Sequence, residues 1–166
     1  TAGETNNQSQ VSLDVAQDYY ADLSVSNVLA PTQAIDDPAT VNIEWTVTNT
    51  GVGSGRSTAW TDVVVFSKDD ILGNSDDMVI AQVRHTGVMQ AGDTYTGQAT
   101  YTFGPAFSQR GYVFVRTDSN NEVWESGNEA NNAARAASTL DVMPMAYADL
   151  QVASVTAQGE AFSGRG

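Results

Sequence analysis

Hydrophobic and polar residues alternate strictly from Val41 to Thr48, with Val41, Ile43, Trp45 and Val47 on one face and Asn42, Glu44, Thr46 and Thr48 on the other. This two-residue period is that of a strand with one face buried. Similar signals occur at Leu23, Val25 and Val28, at Val63 to Phe66, at Met78 to Val83, at Tyr95, Ala99, Tyr101 and Phe103, and at Tyr112 to Val115. Turn-forming residues separate them: Pro31 to Pro38, Gly51-Val-Gly-Ser-Gly55, Asp69 to Asp77, Ala91-Gly-Asp93, Gly104-Pro105, Gln109-Arg-Gly111 and Asp118 to Asn121. The one helix-prone patch, Asn128 to Ala137, contains an Asn-Asn pair and leads into β-type residues, which predicts a turn before the last strand. Seven or eight short strands at this spacing predict an all-β, two-sheet antiparallel β-sandwich. An antiparallel barrel is the alternative architecture.

The two ends of the chain repeat each other. Ser12-Leu-Asp-Val-Ala-Gln-Asp-Tyr-Tyr-Ala-Asp-Leu-Ser-Val-Ser-Asn-Val28 aligns without a gap on Thr139-Leu-Asp-Val-Met-Pro-Met-Ala-Tyr-Ala-Asp-Leu-Gln-Val-Ala-Ser-Val155. Tyr20-Ala21-Asp22-Leu23 and Tyr147-Ala148-Asp149-Leu150 are identical, and Glu4-Thr5-Asn6-Asn7 echoes Glu129-Ala130-Asn131-Asn132. Self-similarity at a fixed spacing marks an array of like units, here of domain size. The expected organisation is one complete repeat over 21–142. Residues 1–15 would be the closing segment of a preceding repeat, and residues 148–166 the opening segment of the next.

Charge narrows the choice of partners. The chain has 7 basic and 20 acidic residues, a net charge of -13, so nucleic-acid phosphates and acidic membrane surfaces would be repelled. With 41% hydrophobic residues and three tryptophans it can still bury a core. Surplus carboxylates suit a protein that is kept soluble in salt or partly neutralised by cations, and calcium is the hard cation they hold best. Both point to an extracellular or cell-surface setting. The chain has no cysteine, which rules out disulfides and thiolate metal sites. No stretch approaches the roughly 20 apolar residues of a membrane span. The polar opening TAGETNNQSQ is not a signal peptide, as expected of a fragment that begins downstream of one or has lost it.

In order, the landmarks are Ala21-Asp-Leu-Ser-Val25, Trp45-Thr-Val-Thr-Asn-Thr-Gly51, Trp60-Thr-Asp-Val-Val64, Phe66-Ser-Lys-Asp69, Leu72-Gly73, Gly111-Tyr-Val-Phe-Val-Arg-Thr-Asp118, Glu125 and Glu129-Ala-Asn-Asn132. Over about residues 21–142 this series resembles the CARDB family, the cell-adhesion-related domain found in bacteria. The resemblance implies an immunoglobulin-like sandwich, tandem occurrence in large secreted or surface proteins of bacteria and archaea, a structural or adhesive role, and no catalytic residues. Edge strands of such a sandwich can pair with neighbours, so the expected partners are neighbouring repeats, or identical chains joined by strand pairing. The alternative is a module that recognises carbohydrate or a protein.

Two acidic clusters fall in loops and are candidate calcium sites: Asp69, Asp70, Asp76 and Asp77 with Asn74, and Asp118, Asn120, Glu125 and Glu129 with Glu122, Asn128 and Asn131. Calcium takes six to eight oxygen ligands in flexible geometry, which such loops can supply. Asp70 to Asp77 nevertheless lacks the alternating ligands and distant Glu of an EF-hand loop. The competing reading is that these side chains shape turns by bonding nearby backbone. The second cluster lies before the last strand and Asp149 after it, so a cation there would stiffen a joint between modules. Trp45 is in phase with the core, Tyr101 and Phe103 share the apolar face of Ala99, and Trp60 and Trp124 lie near turns, where sugar stacking is open to them. His85, the single histidine, is expected to be a surface or packing residue, because no nucleophile, phosphate-loop or zinc pattern accompanies it.

Overall fold

The computed structural model describes residues 9–14, 19–156, 159 and 164. Nine strands follow one another: β1 (Leu23–Leu29), β2 (Gln33–Ile35), β3 (Thr40–Asn49), β4 (Ala59–Ser67), β5 (Met78–Thr86), β6 (Thr94–Thr102), β7 (Gln109–Arg116), β8 (Ala133–Arg135) and β9 (Leu140–Met143). A 3₁₀ turn, Glu129–Asn131, precedes β8. One sheet has the order β1-β3-β6 and the other β2-β9-β7-β4-β5, with β8 also paired to β7. The architecture is the expected immunoglobulin-like sandwich.

Two details differ from the sequence-based expectation. Among the described residues there are nine strands where about seven or eight are expected, because β2 lies inside the Pro31 to Pro38 stretch and β8 inside the helix-prone patch. Each has only three residues and no buried side chain, so neither leaves a periodic signal. The sandwich is also not wholly antiparallel, since β2 runs parallel to β9. The chain leaves the first sheet after Leu29, passes Pro31, which cannot donate to a ladder, and joins the edge of the second sheet without reversing.

The alternation in β3 does what it predicts: Val41, Ile43, Trp45 and Val47 are buried between the sheets with Trp60, Phe66, Phe103 and Leu140. Trp60 is therefore a core residue, whereas Trp124 remains about half exposed at 48%. Phe66, Phe103 and Phe107 form an aromatic group, with Phe103 and Phe107 stacked at 4.5 Å. Trp45 faces Gly97 across the β3–β6 register. A Cβ at Gly97 would run into the indole, so the glycine makes room for the ring.

The strand directions give the sandwich two poles. At the leading pole lie the start of β1, the 50–58 loop and the 117–132 loop. The 36–39, 68–77 and 103–108 loops and the end of β9 lie at the trailing pole. In the closing segment predicted for 1–15, residues 1–8 and 15 lie outside the described residues, as do Glu4 to Asn7. Residues 9–14 carry no strand, and Val11 and Leu13 are exposed. In the opening segment predicted for 148–166, residues 148–156 are likewise outside both sheets, with Leu150, Val152 and Val155 exposed.

Candidate functional site

β7 ends at Arg116, and the chain then coils back on itself at the leading pole. Asp118, at φ 43°, and Asn121, at φ 52°, adopt the left-handed conformation that Asp and Asn tolerate. Asp118 holds this coil together by accepting from the backbone N–H of Glu122 (2.7 Å) and of Val123 (2.9 Å). Val123 is buried in the core and anchors the loop from below. The Asn132 carbonyl accepts from Thr117 N–H at 2.8 Å and closes the loop where it began.

This closure brings three carboxylates together. Oxygens of Asp118, Glu125 and Glu129 all lie within 4.8 Å of one another, with Asp118 and Glu125 buried and Glu129 half-buried. Glu125 accepts from the Leu23 backbone N–H at 3.2 Å, across the gap to the first strand. The Asn132 amide donates to Glu129 (2.8 Å) and to Glu125 (3.4 Å). Its carbonyl oxygen, Oδ1, is buried and has no hydrogen-bond partner. A buried acceptor without a donor is costly in a folded protein. On the rim, Asn131 donates to Asp22 at 2.8 Å.

Burial and mutual repulsion dominate the electrostatics of the group. Burial pushes the Glu125 carboxyl up to about 8, and the charges of Glu129 and Asp118 add to the effect against the opposing bonds from Leu23 and Asn132. Glu129 is raised by its burial and by Asp118, with Arg116 working the other way. A carboxyl with a folded pKa above its unfolded value holds its proton more tightly when folded. Its stabilising contribution is complete below about pH 4.3 and is lost as pH rises through about 8. Metal-free protein is thus expected to lose more stability between about pH 5 and pH 8 than the Glu125→Gln variant does. Denaturant titrations at the two pH values check this, and equal losses in the two proteins would contradict it.

Of the second predicted cluster, Asp118, Glu125 and Glu129 come together, and Asn120 is exposed. The first cluster is built differently. Asp69 accepts from Ile71 N–H (2.8 Å) and from the Asn74 amide, Asp76 from Lys68 N–H (2.9 Å) and Ser67, and Asp77 from Gly73 N–H (2.5 Å). Asp70 is exposed and 3.9 Å from Arg135. The bonded carboxylates shape their own turn, and Asp77 Oδ1 is buried there without a hydrogen-bond partner. Asp149 is exposed, and Asp22, its counterpart in the internal repeat, accepts from Asn131 on the rim of the carboxylate group.

A further buried acid stands in the landmark Trp60-Thr-Asp-Val-Val64 and not among the candidate site residues. Asp62, in β4, accepts from Trp45 Nε1 (2.8 Å), Tyr95 Oη (2.7 Å) and Thr117 Oγ1 (2.7 Å) and is 1% exposed. It pins β4 to β3, β6 and the root of the leading loop. His85 stacks between Trp60 (4.2 Å) and Tyr95 (4.1 Å), and its burial lowers its pKa against the pull of Asp62. It is a packing residue.

Fold and site together define a two-sheet immunoglobulin-like module with an oxygen-only carboxylate group at one pole. The CARDB family model matches residues 20–136, and the chain belongs to the CARDB family, a family of non-enzymatic modules. The CARDB domain of a Pyrococcus furiosus protein, crystallised in complex with di-metal ions, is similar in fold (TM-score 0.52, 18% identity, 79% of this chain and 100% of that one). The solution structure of that domain is also similar (TM-score 0.50, 20% identity, 76% and 96% of the two chains). A stretch of a β-glucosidase from Listeria innocua matches at TM-score 0.48 with 14% identity, over 89% of this chain and 21% of that enzyme, and carries no argument about function. A search of curated proteins gave no match.

Proposed function

We propose that this chain is a non-catalytic extracellular repeat module with a structural or adhesive role in a large bacterial or archaeal surface protein or fibre, and that its leading pole holds calcium. The observation that carries the metal reading is the carboxylate group itself: Asp118, Glu125 and Glu129 converge beside the unpartnered Asn132 Oδ1. These are hard oxygen donors, the set that calcium prefers over softer metals. A cation there would neutralise the converging charges, and with the Asn132 amide turned over it would take Oδ1 as a ligand in place of the Nδ2 bonds to Glu125 and Glu129. The di-metal complex of the Pyrococcus furiosus CARDB domain supports this reading. The spacing role is supported by the internal repeat of Tyr20-Ala-Asp-Leu23 at Tyr147-Ala-Asp-Leu150.

Glu125 bonds to Leu23, and Asn131, next to Asn132, bonds to Asp22, so the site ties the leading loop to the start of β1 in the same module. A cation at the site would therefore stiffen the approach of the preceding segment from within one module. Extracellular modules bind calcium with Kd of about 10⁻⁴ to 10⁻³ M. Free calcium at ten to a hundred times Kd stabilises the fold by about 1.4–2.7 kcal/mol, a melting shift of roughly 4–10 °C for a domain of this size. The expected result is that shift in calcium relative to chelator, lost in Asp118→Asn combined with Glu129→Gln. Superimposable melting curves in calcium and chelator would refute the site.

A further inference from the structure

The same tyrosine of the repeated Tyr-Ala-Asp-Leu motif makes a different contact at each end of the module. At the leading pole, the Tyr20 ring stands edge-on to Trp124 at 6.3 Å and 85°. Its carbonyl accepts from Val52 N–H (3.1 Å) and Gly53 N–H (3.0 Å). The chain lies so close over this loop that a Cβ at Gly51 would meet the Tyr20 carbonyl and one at Gly53 the Tyr19 side chain. Among the described residues the Tyr20 hydroxyl has no hydrogen-bond partner. At the trailing pole the pattern is reversed. The Tyr147 hydroxyl donates to the Asp37 carbonyl at 3.1 Å, while its ring has no aromatic partner among the described residues and is 70% exposed.

The loop that receives Tyr147 is itself fixed. Asp36 N–H donates to the Met143 carbonyl at 3.2 Å, where β9 ends, and Asp37 accepts from Ala106 N–H at 2.8 Å. Tyr147 thus docks on a rigid part of the trailing pole, and only Pro144 to Asp149 separates β9 from the counterpart of β1 in the repeat.

From this complementarity we infer that in an array one tyrosine locks each joint. Its hydroxyl bonds the trailing loop of one module, as Tyr147 does, while its ring packs on the leading-pole tryptophan of the next, as Tyr20 does. The partner surface is a second copy of this module, met through Trp124 and the Gly51–Gly53 loop. Each half of the contact exists in this chain, and the repeat register places both on a single residue. The inference rests on the tandem reading above and is independent of the metal.

The test is a concatemer in which residues 1–146 are followed by residues 20–166, so that Tyr20 of the second copy occupies the place of Tyr147. The chain has no cysteine, so Gln82→Cys in both copies gives two specific spin-label positions on exposed β5 sites. Six unrestrained linker residues would let the modules wander over roughly 13 Å. A locked joint gives instead one narrow inter-label distance. Replacing the joint tyrosine by alanine is expected to widen the distribution at least twofold, and replacement by phenylalanine, which removes only the hydroxyl, to widen it measurably. Trp124→Ala in the second copy should act like the alanine variant. These side chains lie outside the core, so the variants retain the fold. A broad distribution in the parent concatemer, or a narrow one that either tyrosine variant leaves unchanged, overturns the inference. Because the copies are joined by design, such a result leaves calcium titration of the single chain, and the proposal that rests on it, intact.

Discussion

Replacing Asp62 by alanine is expected to cost about 3–4 kcal/mol of folding stability, read as a lower urea midpoint at unchanged m-value. Trp45 Nε1 would lose its acceptor at a position that is 0% exposed, and a buried donor left unpaired costs about 1–3 kcal/mol. Tyr95 and Thr117 would lose the same acceptor but already lie 3.4 Å apart and can bond each other, so their loss is partial. Relief from burying a carboxylate offsets some of the total, but all three neutral donors lose the one acceptor they share. Asp62→Asn keeps one acceptor and should cost less than the alanine variant. A loss below about 1 kcal/mol in Asp62→Ala would show that the three donors find other partners.

Gly97→Ala is expected to destabilise by about 3 kcal/mol, at the upper end of what overpacking costs. The added methyl would lie inside contact distance of the Trp45 indole, which is fixed by its bond to Asp62 and cannot step aside. Thermal melts of the single variant and of Gly97→Ala in a Trp45→Phe background separate this cause from strand propensity. The smaller ring should reduce the penalty of the methyl, a coupling that independent sites would lack. An equal penalty in both backgrounds would argue against the clash.

The long strands were legible because each buries alternate residues over many positions, as β3 does from Val41 to Val47. β2 and β8 were not, since three-residue strands at the margin of a sheet bury no side chain and carry no period. Asp62 could have been found. Trp60, Asp62 and Val64 share one strand face, and an acid among core residues signals a bonded pin, but the continuous apolar run begins only at Val63.

The carboxylate group was partly legible. Asp118, Glu125 and Glu129 stood out as acids in a loop, yet Asp69, Asp76 and Asp77 looked the same, because composition does not tell whether a carboxylate bonds its own turn. The difference is set by the fold. Val123 and the Thr117–Asn132 bond draw one loop inward until Asp118 and Glu125 are buried against Glu129, while the other holds Asp69, Asp76 and Asp77 half-buried in a self-bonded turn. Asn132 and Asp22, which stand in the sequence landmarks, are absent from the candidate ligands for a related reason. Asn132 matters through a buried oxygen that no spacing reveals, and Asp22 reaches the site only when β1 docks more than a hundred residues away in sequence. The internal repeat drew attention to Asp149, whereas the contact within this chain belongs to its earlier counterpart.

The proposed metal site is tested most directly by anomalous diffraction from crystals of this chain grown with millimolar calcium. A peak about 2.3–2.6 Å from carboxylate oxygens of Asp118, Glu125 and Glu129, with Asn132 Oδ1 turned toward it, is the predicted result. A leading pole without a peak, with calcium instead in the loop of Asp69 to Asp77 or nowhere on the molecule, would contradict it.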